Sequence, residues 1–235
     1  MARHGQGGES GVEILYEDDD LLVVNKQAGM IVHPAPGHER CALTELLVAH
    51  APKMAGVGSR ERPGVVHRLD IGTSGVMVFA KSERGYRGLR RDFESHEHVC
   101  KTYLAVLHGA MKERRGELRT QLGRKPWDPK RMAVVETGGQ LAVTRWEVLK
   151  RSGPLALVEF TIKTGRMHQI RVHAAHLGHP IAGDDLYGDP ARDRAMAVRP
   201  GRPLLHAVQL EFNHPVTHLR MKFAAEPPGD ILFAR

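Results

Sequence analysis

The chain has 235 residues, of which 41% are hydrophobic and 26% charged; this composition excludes a disordered or fibrous protein and suits one large domain or two small ones. Its formal net charge of +7 and sequence pI of about 9.6 favour a polyanionic partner, with nucleic acid first. No apolar run approaches the roughly 18 residues that span a membrane, and the two cysteines, Cys41 and Cys100, form no disulfide framework and fit a reducing cytoplasm.

The first residues are typical of a flexible arm. MARHGQGGES lacks the apolar middle of a secretory signal peptide. No internal repeat, low-complexity block or clear linker divides the rest of the chain. We therefore predict an arm over 1–12 and a single folded domain over 13–235.

The first elements after the arm are short. EILYEDDDLLVVNK, residues 13–26, predicts two strands around an acidic turn. ALTELLVAHA, residues 42–51, predicts a short helix. SGVMVFAK, residues 74–81, is an apolar run behind a glycine turn and predicts a buried strand.

Residues 82–98 have a helical period, with Ser82 as a candidate N-cap. The period separates an apolar stripe from a basic one: Tyr86, Leu89 and Phe93 against Arg84, Arg87 and Arg91. Two glycines, Gly85 and Gly88, disfavour a helix here by their intrinsic propensity. The periodicity still predicts a helix.

The second half of the chain is rich in strand patterns. VCKTYLAVLHG, residues 99–109, predicts a strand, and residues 114–132 are basic and turn-rich. QLAVTRWEVLK and LALVEFTIK, residues 140–150 and 155–163, predict a hairpin. MHQIRVHAAHLG, residues 167–178, predicts a helix that ends at Gly178.

Two more strands are predicted near the end of the chain, in LLHAVQLEFNHP (204–215) and HLRMKFAA (218–225). Successive strands with irregularly interspersed helices favour an α+β fold built on a long mixed, mostly antiparallel sheet flanked by helices and loops. The strict strand–helix alternation of a doubly wound fold is absent.

Histidine is abundant, with 15 residues, but its spacing does not predict a metal site. Two clusters stand out: His168, His173, His176 and His179, and His96, His98 and Cys100. His173 and His176 share a helix face, whereas His168 points elsewhere. There is no HExxH and no cysteine pair. We therefore predict no metal. The missing GxxxxGK[ST] motif argues against a nucleotide cofactor, and the missing GxSxG motif argues against a serine hydrolase.

A carboxylate in VHRLDIGTSGVMVFAK, residues 66–81, raises a functional question. Asp70 follows an arginine and precedes the turn-rich IGTSG, and a carboxylate at the edge of a core is costly unless it is paired, hydrogen-bonded or used. One interpretation is a structural Asp that caps the turn. The other is a catalytic group, and the stretch by itself leaves both open.

Two further residues favour the catalytic interpretation. Tyr103 alternates with apolar residues on its predicted strand, a position from which it can face a cleft. Arg171 shares its helix face with Met167, Ala174 and Ala175, a poor setting for a charge without a partner. We therefore predict a carboxylate partner for Arg171.

The chain carries five motifs that resemble, in order, those of the RluA-type pseudouridine synthases: HRLDIGTSG (67–75), KTYLAVLHG (101–109), TGRMHQIRVH (164–173), GDDLYG (183–188) and LLHAVQLEFNHP (204–215). ILYEDDDLLVVNKQAGMIVHPAPG resembles the first block of that family, so the likeness runs from about residue 13 to residue 224. The chain departs from the usual pattern at Gln27, at Met167 and in IGTSG. The given sequence starts at the catalytic block, without the small RNA-binding module of many relatives. We therefore expect this domain or the arm to bind the RNA.

The resemblance implies isomerisation of uridine to pseudouridine within an RNA, without a metal or nucleotide cofactor. Asp70 would be the catalytic carboxylate, as nucleophile or as base, and Arg171 would pair with it. Tyr103 would stack on the target base. Arg68 would bind backbone phosphate or occupy the space of the flipped nucleotide, and Leu205 would wall the base pocket, with core packing as the alternative.

The implied partner is RNA, with large-subunit ribosomal RNA favoured over transfer RNA by the phrases VHPAPG and KRMAV…GGQLAVT. Candidate phosphate contacts are basic side chains: Arg84, Arg87, Arg91, Arg114, Arg115, Arg124, Lys125, Lys130 and Arg131. A monomer in the cytoplasm, with no membrane association, is expected. Two alternatives remain. One is an RNA glycosidase, which would commonly use two carboxylates, although Glu61 and Glu83, the carboxylates near Asp70 in sequence, sit in no motif. The other is a non-catalytic RNA-binding protein or RNA chaperone.

Overall fold

A computed structural model describes residues 11–35 and 41–232. The chain forms two compact units. The first consists of the described residues up to Cys100 together with Ala207–Glu226, and the second of Lys101–His206 with the described residues from Pro227 onward. The predicted arm over 1–12 lies outside the described residues except for Gly11 and Val12. The single domain over 13–235 stays a prediction.

The first unit is built around a sheet in the order β1-β2-β5-β11, with β12 paired to β11. Its strands are β1 Glu13–Glu17, β2 Leu21–Lys26, β5 Ser74–Ala80, β11 Leu205–Asn213, most of which lies in this unit, and β12 Arg220–Ala224. A separate pair, β3 Gly58–Ser59 and β4 Arg62–Pro63, forms a two-stranded sheet.

The local sequence explains how this sheet starts and where it is buried. The carboxylate of Asp18 accepts hydrogen bonds from the backbone amides of Asp20 and Leu21, both at 2.8 Å, and so closes the acidic turn between β1 and β2. All seven residues of β5 are buried. A strand covered on both faces has a continuous apolar run, as the sequence predicted.

The first unit has two α-helices, α1 Leu43–His50 and α2 Glu83–Ser95, and a 3₁₀ turn at Pro52–Gly56 that was not predicted. In α2, the predicted Ser82 cap accepts from the amide of Gly85, and the apolar stripe is buried at Leu89 and Phe93. Gly88 is needed because a Cβ there would lie 2.7 Å from Pro215. Close packing therefore overrides the low helix propensity of this glycine.

The second unit holds a sheet in the order β6-β10-β9-β7-β8. Its strands are β6 Cys100–His108, β7 Arg115–Lys125, β8 Asp128–Val135, β9 Gln140–Ser152 and β10 Leu155–Ile162. The hairpin of β9 and β10 is confirmed. The interpretation of 114–132 as turn-rich is wrong. Most of it belongs to the hairpin of β7 and β8, whose charged residues on one face obscure the strand pattern.

Three helices belong to the second unit: α3 Gln169–His176, α4 Pro190–Arg194 and α5 Gly229–Leu232. The end of α3 at Gly178 is confirmed by its positive φ of 78°. The helix starts two residues later than predicted, since His168 has a left-handed φ of 56°. The short α4 was not predicted, although Asp189 caps it and Pro190 opens it.

The predicted α+β class with mostly antiparallel strand pairing is confirmed. Within the described residues, no helix is both long and apolar enough to cross a membrane.

Candidate active site

Asp70 lies half-buried in the loop that leads into β5. The amide of Thr73 donates to the carbonyl of Asp70 at 3.0 Å, and the carbonyl of Ile71 accepts from the amide of Gly29 at 2.7 Å. Leu69, directly before Asp70, is 5% exposed. The backbone around Asp70 is therefore fixed by the buried Leu69 before it and by backbone hydrogen bonds at and after it.

Lys26, at the end of β2, contacts this loop and was not predicted from the sequence. Its side chain is fully buried, and its Nζ donates to the carbonyls of Gln27, Met30 and Ile71 at 3.0, 2.9 and 3.3 Å. An ammonium satisfies its charge well with several carbonyl oxygens. The available signal was a lysine that ends an apolar strand, LLVVNK, where a charge is costly unless it has such partners.

Arg68 is exposed between two anchored neighbours. His67 accepts from the amide of Val78 through Nε2 at 3.1 Å and stacks on Phe93 with ring centroids 4.5 Å apart. Leu69 is buried on the other side. Because both neighbours point into the first unit, Arg68 is left in contact with solvent, as a residue that binds phosphate requires.

Arg171 is 5% exposed and is held by acids of the GDDLYG loop. Its Nε and Nη2 donate to Asp184 at 2.7 and 2.6 Å, and Nη2 also donates to Asp185 at 2.9 Å. The guanidinium lies 5.3 Å from the ring centroid of Tyr187. The predicted need for a carboxylate partner is confirmed at Asp184, and the pairing of Arg171 with Asp70 stays a prediction.

A buried polar network fixes α3, the helix that carries Arg171, on the sheet of the second unit. The His173 ring hydrogen-bonds the hydroxyls of Thr144 and Thr120 at 2.8 and 3.0 Å. Gln169 donates to Thr144 and to the carbonyl of Val143. Burial lowers the pKa of His173 to about 4, so this histidine is neutral at pH 7.

Tyr103 and Leu205 are both buried, 8% and 4% exposed. Tyr103 lies in β6 opposite Phe160 of β10. Leu205 is the first residue of β11. Their contacts with a base, inferred from the resemblance, stay predictions.

The histidine clusters contain residues that are already engaged in hydrogen bonds. His173 contacts two threonine hydroxyls, His179 contacts the carbonyl of His108, and His168 contacts Tyr187. Each bond occupies a ring nitrogen that a metal would need.

The structure brings together another possible ligand set, Asp18, Asp20 and His214, whose ligand atoms lie within 4.8 Å of one another. His214 bonds Asp18 at 2.8 Å, and Arg84 bonds Asp20 at 2.7 Å and lowers the pKa of that carboxyl. These contacts make the cluster an ion-pair network with its own cation.

The predicted basic contacts fall into two kinds. On α2 the arginines are paired with nearby acids: Arg84 with Asp20, Arg87 with Glu83 and Arg91 with Asp92. Arg114 and Arg115 share Glu147. At the tip of the β7–β8 hairpin, Arg131 pairs with Asp128 at 3.2 Å. The tip nevertheless has an excess of positive charge, because this one acid lies among four basic residues: Arg124, Lys125, Lys130 and Arg131.

The same tip presents Trp127, which is 94% exposed. The sequence analysis did not single it out. An exposed indole among basic side chains is the combination that stacks on an unpaired base and attracts its phosphates. The signal was KPWDPK, a large aromatic residue between prolines and lysines where a turn would ordinarily be polar.

A cavity of about 1130 Å³ lies in the second unit beside α4 and the loop after it. Its walls include His108, Leu155, Met196 and Leu204. None of the five predicted site residues is among the described residues that line it.

Comparison with known proteins decides the family. The family model described as RNA pseudouridylate synthase matches residues 20–176. The chain belongs to this family. Four of the five predicted site residues fall within the matched range, and Leu205 lies beyond it.

Several pseudouridine synthases are similar to this family member over most of the chain's length. An uncharacterized RNA pseudouridine synthase of Synechocystis sp. is 43% identical over 88% of the chain and 62% of the relative. The ribosomal large subunit pseudouridine synthase D of Neisseria meningitidis serogroup B is 41% identical over 94% of the chain and 59% of the relative. The chain thus spans about three fifths of the length of these two relatives.

Among solved structures, human RNA pseudouridylate synthase domain containing 1 is similar with a TM-score of 0.76 and 27% identity, covering 95% of the chain and 86% of that structure. This synthase family member therefore shares its fold with a pseudouridylate synthase domain. Within it, Arg68 and Asp70 belong to the first unit, and Tyr103, Arg171 and Leu205 to the second.

Proposed function

We propose that this chain is an RNA pseudouridine synthase that isomerises specific uridines in structured RNA, with large-subunit ribosomal RNA as the substrate. The observation that carries the proposal is the HRLD loop, in which backbone hydrogen bonds and the buried Leu69 fix the backbone around Asp70 while Arg68 is exposed. The name of the Neisseria relative, a ribosomal large subunit enzyme, supports the choice of RNA.

The proposed reaction exchanges one bond of the nucleotide for another. The bond from the anomeric carbon to N1 of uracil breaks, the base turns, and a bond from the anomeric carbon to C5 forms. C5 loses a proton and N1 gains one, so the product is an isomer of the substrate. No oxidant, reductant or group donor is consumed, and we propose that the chain works without a metal or nucleotide cofactor.

Asp70 would act as an ionised carboxylate, either attacking the sugar or abstracting a sugar proton. Arg171 would pair with Asp70 and fix its rotamer. Tyr103 would stack on the uracil and assist the proton transfer from C5, and Leu205 would line the base pocket. Arg68, exposed in the HRLD loop, would contact phosphate.

The β7–β8 hairpin tip supports RNA as the partner. Its basic residues outnumber the single acid, and Trp127 offers a stacking surface. The arginines of α2 support it less, because each is already in an ion pair with an acid. We therefore place the main RNA contact of the second unit at the hairpin tip.

Position-resolved pseudouridine mapping of ribosomal and transfer RNA, in cells with and without the protein, tests the proposal. We expect pseudouridines in large-subunit ribosomal RNA that depend on the protein and vanish with Asp70→Asn, whose in vitro rate should fall by about 10⁴-fold or more. Circular dichroism would check that the variant folds. An Asp70→Asn protein with full activity would overturn the assignment.

The same experiment separates the alternatives. A glycosidase would release free uracil and leave an abasic sugar, whereas an isomerase keeps the base on the RNA. A non-catalytic RNA chaperone would leave the RNA unmodified, and its Asp70→Asn variant would do all that the native protein does.

A further inference from the structure

Tyr187 lies where three segments of the second unit meet: the GDDLYG loop, the start of α3 and strand β8. Its hydroxyl accepts a hydrogen bond from the amide of Met132 at 2.7 Å and bonds Nδ1 of His168 at 2.9 Å. Its ring lies beside the Arg171 guanidinium. One side chain thus contacts the hairpin, the helix start and the arginine.

The contact with the hairpin is part of an ordered strand. Met132 lies in β8 and pairs in register with Arg124 of β7, a basic residue of the tip. The Tyr187 ring packs with Met132 and Val134 against the buried cluster of Leu122, Ala142 and Val172. The hydroxyl is therefore held at the base of the segment that presents Trp127.

The contact with the helix is made at a backbone conformation that is unusual for a residue with a side chain. His168 has a left-handed φ of 56° and is the N-cap residue of α3. Its ring meets the Tyr187 ring edge-on, with centroids 5.6 Å apart. Such a conformation costs free energy and persists only where its surroundings fix it, and Tyr187 is part of those surroundings.

The Tyr187 backbone is tied to the same charge network. Asp184, the main partner of Arg171, also accepts from the amide of Tyr187 at 3.0 Å. The ring and the backbone of Tyr187 are thus fixed relative to Arg171, while the hydroxyl reaches the hairpin and His168.

We propose that Tyr187 is a positioning residue that couples the β7–β8 hairpin to Arg171. RNA held at the hairpin tip restrains β8, and the Tyr187 hydroxyl carries that restraint to the first turn of α3 and so to the arginine. RNA bound at the tip then helps to hold Arg171 in its reactive position. This raises the rate of the chemical step in the enzyme–RNA complex. This proposal rests on the proposed function.

A double-mutant cycle tests the coupling. Tyr187→Phe removes the hydroxyl and keeps the ring, and Trp127→Ala removes the stacking surface at the tip. Single-turnover rates at saturating RNA and RNA affinities would be measured for the wild type, both single variants and the double variant. We expect Tyr187→Phe to slow the reaction about tenfold with less than a twofold change in RNA affinity.

The cycle has a distinctive expected result. Trp127→Ala should lower the saturated rate in the wild-type background but not in the Tyr187→Phe background, because the coupling is already lost. Independent effects on the rate in the two backgrounds would overturn the proposal. So would a Tyr187→Phe rate equal to that of the wild type.

Tyr16→Phe is a matched control, since the Tyr16 hydroxyl also makes a side-chain hydrogen bond, to Asp18 at 2.9 Å, but lies in the first unit. It should leave the rate unchanged, and an equal loss of rate there would overturn a specific role for Tyr187. If Tyr187→Phe does not fold, His168→Asn is the second variant. It removes the imidazole that bonds the Tyr187 hydroxyl, and asparagine tolerates the left-handed backbone at this position. That variant should slow the reaction in the same way, and a wild-type rate would contradict the coupling.

Hydrogen exchange gives a readout that does not depend on activity. The amide of Met132 should exchange faster in Tyr187→Phe, with amides of the β9–β10 hairpin unchanged. Unchanged protection at Met132 would contradict the link. A wild-type protein that forms no pseudouridine in any RNA would refute the proposed function, whereas an active wild type with an equally active Tyr187→Phe would refute only the coupling.

Discussion

Each unit contains a buried charged side chain that holds part of the proposed site in place, a cation in the first unit and an anion in the second. In the first, the buried cation Lys26 binds backbone carbonyls, one of them at Ile71, next to Asp70. In the second, the buried anion Asp184 binds the Arg171 guanidinium itself. The first arrangement fixes the path of a loop, and the second fixes the rotamer of one side chain.

This difference separates two ways in which a substitution can act. A change at Lys26 should disturb the loop that carries Asp70, because it removes a donor to the Ile71 carbonyl. A change at Asp184 should leave a nearly buried cation short of charge compensation. The energetic cost of a change at Asp184 should therefore be the larger of the two.

Asp184→Asn has the largest expected effect on stability. It keeps the size of the side chain but leaves Arg171 with Asp185, whose side chain is 77% exposed. Breaking a buried ion pair costs about 3–5 kcal/mol of unfolding free energy, measurable by urea denaturation. Asp185→Asn is the control and should cost at most about 1 kcal/mol; equal losses from the two variants would refute the ranking.

The buried His173 predicts that the stability of the fold depends on pH. Its pKa is lowered to about 4 from the ordinary value of 6.5, so protons bind more tightly to the unfolded chain. The neutral ring stabilises the fold fully above pH 6.5, and this contribution, about 3 kcal/mol, is lost as the pH falls from 6.5 to 4.

Urea denaturation of the wild type and of His173→Gln at several pH values checks this. The difference in unfolding free energy between the two proteins should shrink as the pH falls through that window. A difference that stays constant with pH would show that His173 does not titrate as proposed.

Lys26→Met should cost about 2 kcal/mol, because it removes hydrogen bonds to three backbone carbonyls. It should also lower activity, since the Ile71 carbonyl beside Asp70 loses one of its donors. Lys81→Met is the control: Lys81 pairs with Glu17 and the carbonyl of Asp18, away from the HRLD loop. Activity assays at a temperature where both variants are folded should show a loss only for Lys26→Met.

The residues that the sequence revealed are those whose pattern is local. The α2 stripes, the Ser82 cap and the end of α3 at Gly178 each follow from spacing within a few residues, and the structure confirms them. The need of Arg171 for a carboxylate also followed from its apolar helix face. Which carboxylate it takes did not, because Asp184 lies 13 residues away and meets Arg171 only through the fold.

The residues that the sequence did not reveal depend on distant contacts or on an obscured pattern. Lys26 reaches Ile71 across 45 residues of chain, and no periodicity predicts such a bond. The β7–β8 hairpin was missed because charges alternate on its exposed face. With the hairpin missed, Trp127 could not be recognised as the residue at its tip.

Removing charges from the basic surfaces of the two units has the smallest expected effect of these substitutions, and this effect is on RNA affinity. Lys125→Gln/Lys130→Gln removes two charges from the hairpin tip, where a single acid stands among four basic residues. RNA affinity should fall about tenfold at low salt, and the slope of log affinity against log salt should decrease by about 1–2, because fewer counterions are released.

The matched control is Arg87→Gln/Arg91→Gln on α2, which also removes two charges. Both arginines are paired with acids of their own helix, Glu83 and Asp92, so the local field that RNA meets there is already weak. Affinity and salt slope should change less than about twofold for this pair. Filter-binding titrations over a range of salt concentrations decide between the two surfaces, and a larger loss from the α2 pair would place the RNA on the first unit's helix instead of the second unit's hairpin.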